Sequence, residues 1–187
     1  MPILLLLRRR PLALIPIAAA CLLLSGLPVQ AQSGVVPGRS IGAFHLGDSL
    51  ESVTEVLGPG SPPALLPQAM ISYYWPSRHL GVVVDVVTRK IVALVASSEI
   101  NYRTAKGVGI GSGADEVESA FGRRSGIDNG DGTVVLVYNH VGVAFVVART
   151  VSLHDRVSTI FVFAPGEYHR IFPNPMTAAT LRRLSPR

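Results

Sequence analysis

The residues that could do chemistry are few, and their spacing argues against it. Asp128-Asn129-Gly130-Asp131-Gly132 has the composition of a calcium loop, but such loops set their ligands at alternate positions and close on a bidentate glutamate. Here the two acids are three residues apart and no glutamate precedes the next apolar run, so the segment reads as a turn into Thr133. Gly107-Val108-Gly109-Ile110-Gly111-Ser112-Gly113-Ala114 loosely fits a dinucleotide fingerprint at a helix start, with Asp128 or Asp131 downstream. A pyrophosphate site of that kind needs a parallel strand–helix–strand unit, and the residues after this helix are patterned as an antiparallel meander. The five histidines, His45, His79, His140, His154 and His169, lack metal-ligand spacing. His79 and His140 fall at matching places, where turn-end histidines are usually solvated. No serine sits in a Gly-x-Ser-x-Gly elbow. The reading is a chain with no catalytic, cofactor-binding or metal residue, and with no cofactor.

The elements that would position any site come from an internal duplication. Leu46-Gly47-Asp48-Ser49-Leu50-Glu51-Ser52-Val53-Thr54-Glu55-Val56-Leu57-Gly58 aligns without a gap to Ile110 through Gly122. Each copy has a glycine, a capping residue (Asp48 or Ser112) and an acid three places on (Glu51 or Asp115), the mark of a helix start. Val53, Val56, Leu57 and Val117, Ala120, Phe121 recur at the spacing of one buried helix face, and Gly58 and Gly122 close the helices. Strands are predicted at 71–75, 80–87 and 91–96, and again at 134–138, 141–148 and 157–163. The segment from Gly58 to Pro67, with four prolines, reads as a surface loop. The fold expected is α+β: a tandem repeat of a short helix and a three-stranded antiparallel meander, about 41–98 and 105–164, with both helices on one face of a continuous sheet. Val53 and Val117 should then be equivalent and buried. Residues 166–187 form a tail, with a short helix over Met176–Leu184 capped by Asn174 or a frayed end as alternatives.

The chain also carries an export signal. Arg8-Arg9-Arg10, an apolar run from Leu12 to Leu27, and Val29-Gln30-Ala31 read as a signal peptide over residues 1–31, cleaved before Gln32. Lipidation at Cys21, or retention of the leader as an anchor, is the alternative, and only these would bring a membrane contact. Cys21 is the one cysteine, so the mature chain of 156 residues has neither disulfide nor thiol chemistry. Three of the 17 basic residues leave with the leader, so the mature chain carries a net charge of +2 and its basicity is no argument for nucleic acid.

Ile41-Gly42, Leu46-Gly47-x-Ser49-x-x-x-Val53, Leu57-Gly58 and the junction Tyr102-Arg103-Thr104-x-x-Gly107-Val108-Gly109-Ile110-Gly111 carry a resemblance. Over Ile41 to Ala164 the chain is similar to the tandem-repeat envelope proteins of the β-lactamase-inhibitory-protein and BamE (small protein A) type. The resemblance implies a helix-plus-sheet module that works through protein contacts and is not an enzyme. The inhibitor type carries disulfides, which this mature chain cannot form. The function expected is therefore an exported, periplasmic or secreted, non-enzymatic module that binds a protein at its sheet, with Tyr74 and Tyr138 as the partner-binding residues. An extracytoplasmic hydrolase without a recognisable motif, or a structural envelope module with lipid contact, is the alternative. Val82-Val83-Val84 and Val141 to Ala148 do not alternate apolar and polar residues, so both faces of the sheet are expected to be apolar. The second face is then either a partner surface or covered by the Pro-rich loop and the tail.

Overall fold

The computed structural model describes residues 34–97, 102–124, 126–129, 132–148, 155–172 and Leu184. The leader, Cys21, the cleavage site, Asp131, His154 and most of the expected C-terminal helix lie outside the described residues. The chain divides into two compact units, Met1–Gln30 and Ala31–Arg187, and everything below belongs to the second. No described helix is long and apolar enough to cross a membrane.

Runs rich in β-branched residues set the architecture, because valine and isoleucine pack well on a pleated surface. The strands are β1 (Gly34–Val36), β2 (Ser40–Ile41), β3 (Phe44–His45), β4 (Ala64–Leu66), β5 (Met70–Trp75) and β6 (Leu80–Asp85). They continue with β7 (Ile91–Ser97), β8 (Arg103–Thr104), β9 (Ile127–Asp128), β10 (Thr133–Tyr138), β11 (Val143–Ala148) and β12 (Arg156–Phe163). The helices are α1 (Leu50–Leu57), α2 (Ala114–Phe121) and the single turn α3 (Tyr168–Ile171). Eight strands form one antiparallel sheet in the order β4-β5-β6-β7-β12-β11-β10-β9. Two consecutive runs of strands meet at its centre, where Ala93 pairs with Phe163 and Ser97 with Thr159. A separate four-stranded sheet has the order β3-β2-β1-β8, with β1 parallel to β8.

This corrects the expected fold. The chain is mostly strand, built on an eight-stranded and a four-stranded sheet, and is not an α+β tandem repeat of a helix and a three-stranded meander. The expectation missed β4 because prolines surround it, and missed β9 because glycine and polar residues surround it. Both are outermost strands, where a proline-flanked strand is tolerated. It also missed the small sheet, whose strands of two or three residues are too short to show a period of two.

Alternation along the strands separates two cores. Val82, Leu94, Phe145, Ile160 and Val162 belong to one, with Val53 of α1, Val117 of α2 and Val35 and Ile41 of the small sheet. Val83, Val95, Val146, Phe161 and Phe163 belong to the other, with Tyr168, Ile171, Phe172 and Leu184. Both faces of the large sheet are thus packed, which is why its central strands read as unbroken apolar runs. Val53 and Val117 are both fully buried.

The helix starts differ from the expected caps by one residue. Ser49 caps α1, its hydroxyl accepting from the Ser52 amide at 3.3 Å, while Asp48 accepts from the His45 amide at 2.9 Å. Gly113 precedes α2 without a side-chain cap, because the Ser112 hydroxyl accepts from Gly109 instead. The start of α2 finds other partners: the Ala114 amide donates to the Asp155 carbonyl, and the Ser112 carbonyl accepts from the Val157 amide, which together tie the helix start to β12.

Candidate functional site

Tyr74 and Tyr138 are where the sequence reading places the partner surface. The structure does not bring them together. On β10, Val134, Leu136 and Tyr138 face the core that holds α1 and α2. On β5 it is Tyr73 and Trp75 that face that core, whereas Met70 packs into the opposite one. Tyr74 shares the face of Met70 by alternation, so the two tyrosines stand on opposite sides of the sheet. Neither is a surface group: Tyr74 is 4% exposed and Tyr138 0%. The Tyr74 and Ser97 hydroxyls lie 3.1 Å apart.

The residue on β5 that matches Tyr138 is its neighbour, Trp75. Trp75 Nε1 donates to the Gly58 carbonyl at 2.9 Å, and Tyr138 Oη donates to the Gly122 carbonyl at 2.9 Å. These are the glycines that end α1 and α2, with φ of 75° and 91°. A helix ends with carbonyls that have no partner in the helix, and a left-handed residue there requires glycine. Each aromatic therefore pins one helix to the sheet and supplies a donor at its end. Tyr138 also packs 5.2 Å from the Phe121 ring, which lies 5.3 Å from Phe145. Sequence spacing could have found the pair, since Trp75 stands 17 residues after Gly58 and Tyr138 stands 16 after Gly122.

The remaining candidates are used by the fold. Asn129 donates to Thr133 Oγ1 at 2.9 Å, which builds the turn into β10. In the glycine run, Gly109 donates to Ser112 Oγ and Gly111 to the Val157 carbonyl, so these amides are already occupied. Gly107, whose amide donates to the Thr104 carbonyl, and Val108 line an open groove of about 640 Å³ beside α2, together with Lys106, Asp115, Glu116 and Ser119. Its lining mixes both charges, and Lys106 is tied to the Ala120 carbonyl and to the Phe121 ring at 4.8 Å. His140 faces Arg124 at 3.2 Å at the surface, and His79 ends a short 3-10 turn. Among the described residues, no group of three or more His, Cys, Asp or Glu stands close enough to hold a metal.

Ionisation follows the same pattern. The Asp85 carboxyl is lowered, first by the Thr88 amide, because its Oδ1 holds the turn between β6 and β7 through the amides of Val87 and Thr88. The Glu51 carboxyl is lowered by its own main-chain amide, then by Ser49 and Arg89. Burial raises the hydroxyls of Tyr102, Tyr138 and Tyr168. None of these groups converges on a common cleft.

The other concentration of large side chains lies on the second sheet face. Phe172 packs 4.8 Å from Phe161, and Tyr168 packs 5.3 Å from Phe163. Beneath them Val83, Ala93, Val95, Val135 and Ala144 are fully buried. This face spans strands of both runs, and what covers it among the described residues is α3, Phe172 and Leu184.

No protein-family model matches the chain. No curated protein matches it either. Among solved structures, it superposes on a cysteine-rich secretory protein from Staphylococcus aureus with a TM-score of 0.43 and 12% identity, over 68% of this chain and 48% of that one. It superposes on an extracellular protein containing an SCP domain from Bacillus anthracis with a TM-score of 0.46 and 10% identity, over 74% and 52%. The chain thus spans about half the length of either. Neither is of the inhibitory-protein or BamE type expected from the sequence, and at this level of superposition the likeness carries no argument.

Proposed function

We propose that the chain is an exported, non-enzymatic module that binds a protein partner at a face of its eight-stranded sheet. The observation that carries this reading is the second sheet face, apolar across strands of both runs. A face of that composition, once open to solvent, is what a protein interface is built on. The leader, with its arginine cluster, apolar run and Val29-Gln30-Ala31, supports export. Support for binding over catalysis comes from the titratable groups, whose displaced ionisation serves turns, helix starts and burial. Tyr74 and Tyr138 are both buried, on opposite faces, so the reading rests on the second face as a whole and not on that pair.

The test uses the mature chain, purified from outside the cytoplasm, as bait against solubilised envelope and culture supernatant. A photo-crosslinking residue at Arg170, half-exposed at the margin of the second face, serves as one probe, and one at Glu55, exposed on α1, serves as the other. The reading expects a single protein crosslinked from the first position and not from the second. Equal labelling from both positions, or none from either, overturns it.

A further inference from the structure

A second hollow lies at the end of β10, apart from the groove beside α2. Arg124, Val137, Asn139, His140 and Gly166 line it, and its volume is about 320 Å³. Three segments meet there. The chain after α2 brings Arg124, the turn between β10 and β11 brings Asn139 and His140, and the chain after β12 brings Gly166. Val137, half-buried on β10 and packed against the second core, adds an apolar wall.

The turn that carries His140 is held from several sides. It closes on itself, the Val141 and Gly142 amides both donating to the Tyr138 carbonyl at 3.1 and 3.0 Å. The Gly142 carbonyl accepts from the Gly38 amide at 3.0 Å and from the Phe163 amide at 3.1 Å. The Asn139 carbonyl accepts from the Gly166 amide at 2.9 Å, and Asn139 Oδ1 accepts from the Tyr168 amide at 3.1 Å. Gly142 has a φ of 75°, and a Cβ there would stand 2.2 Å from the Phe163 carbonyl oxygen, so the turn is seated too closely for a side chain. A turn anchored in this way needs no ordering when a ligand arrives.

The lining offers donors. Arg124 Nη2 stands 3.2 Å from His140 Nδ1. A guanidinium can only donate, so Nδ1 accepts and the neutral ring carries its proton on Nε2. Both side chains are exposed, and both keep further N–H groups to give. The acceptors of Asn139 are taken by the bonds just described, and the Gly166 carbonyl accepts from Asn139 Nδ2 at 3.4 Å. No carboxylate lines the hollow, and among the described residues Arg124 makes no ion pair. Glu167, which follows Gly166, pairs with Arg170 instead. Burial and Glu118 of α2 raise the Tyr138 hydroxyl against the opposing pull of Arg124, yet Glu118 forms no ion pair with that guanidinium.

We propose that this hollow is a binding site for a carboxylate carried on a small aliphatic body. The single positive charge of Arg124 balances a carboxylate, whereas a phosphate monoester carries more charge than the lining meets. The planar fork of a guanidinium matches the two oxygens of a carboxylate, His140 supplies a further donor, and Val137 receives the apolar part. A free short-chain acid and the C-terminus of a peptide both present this group. The site stands apart from the sheet-face reading and holds whether or not a protein docks on the sheet.

Amide NMR spectra of the full exported chain, at fixed pH and ionic strength, test the site. The probes are isovalerate, acetyl-alanyl-valine, the C-terminal amide of that peptide, and inorganic phosphate. Isovalerate or the peptide acid should give saturable shifts confined to Arg124, Val137, Asn139 to Val141 and Gly166, half-complete at about 1–10 mM, while the peptide amide gives none. Whichever acid saturates at the lower concentration identifies the source, a free acid or a chain terminus. Arg124→Gln should raise the half-saturating concentration at least ~10-fold, and Arg123→Gln, which removes the same charge one residue away, less than ~2-fold. Both arginines are exposed, so unchanged shifts in the central strands show that each variant is folded. No saturable shift from either acid up to about 50 mM overturns the site. So does an equal response to the peptide amide, tighter uptake of phosphate, or the same loss from both arginine substitutions.

Discussion

Tyr138 shows how a polar atom on a buried ring is used. Its hydroxyl serves the Gly122 carbonyl at 2.9 Å, and the ring fills the space against Phe121 and Phe145. Tyr138→Phe keeps the packing and removes only the donor, so it should cost about 0.5–1.5 kcal/mol, the net value of one such bond. Urea unfolding with an unchanged slope would measure it. Buried tyrosines also set the alkaline limit. Tyr102, Tyr138 and Tyr168 have folded-state values raised by burial. A raised value means that their stabilisation is complete below the unfolded value of about 10 and is lost as pH climbs through the folded values. Tyrosinate absorbance from these three of the five tyrosines should therefore stay absent near pH 10 and develop with cooperative unfolding above it. Smooth titration of these three near that pH would contradict their burial.

At the scale of elements, α1 and α2 are eight residues each, and both bury a single valine completely. Helices this short depend on tertiary packing, so Val53→Ala and Val117→Ala should each destabilise by about 1–3 kcal/mol through lost burial and a residual cavity. Calorimetric or denaturant melts of the two variants check this, and a loss below the measurement error at either site would show that its helix is dispensable. The helices and the six inner strands of the large sheet were legible because their apolar spacing, closing glycines and valine runs are strong local signals. Strands β4 and β9 were not, since an outermost strand makes one ladder and tolerates residues that argue against a strand. Tyr74 and Tyr138 came to lie on opposite faces for a different reason. Matching Tyr74 instead of Trp75 to Tyr138 is a slip of one residue, and a slip of one on a strand exchanges the faces of the sheet. The second face was foreseen as apolar from the unbroken runs in β6 and β11, but the close approach of Leu184 to Gly81 is something only the folded chain reveals.

At the scale of the whole molecule, export is the property most directly checked. Intact mass of the protein recovered outside the cytoplasm should correspond to a chain that starts at Gln32. A species that starts at Met1, or a lipidated one that starts at Cys21, would remove cleavage after Ala31 from the account. The order of the large sheet has a consequence in time. Its central pair joins β7, which ends at Ser97, to β12, which ends at Phe163. Synthesis proceeds from the N-terminus, so β4 to β7 are complete while the neighbour of β7 has yet to be made. Throughout that interval the inner edge of β7, flanked by Leu94, Val95 and Ala96, is an open margin of hydrogen-bonding groups in an apolar setting, the kind of edge that recruits the wrong strand. The middle of the finished sheet is thus a seam that cannot close before β12, the last of its strands, has been made.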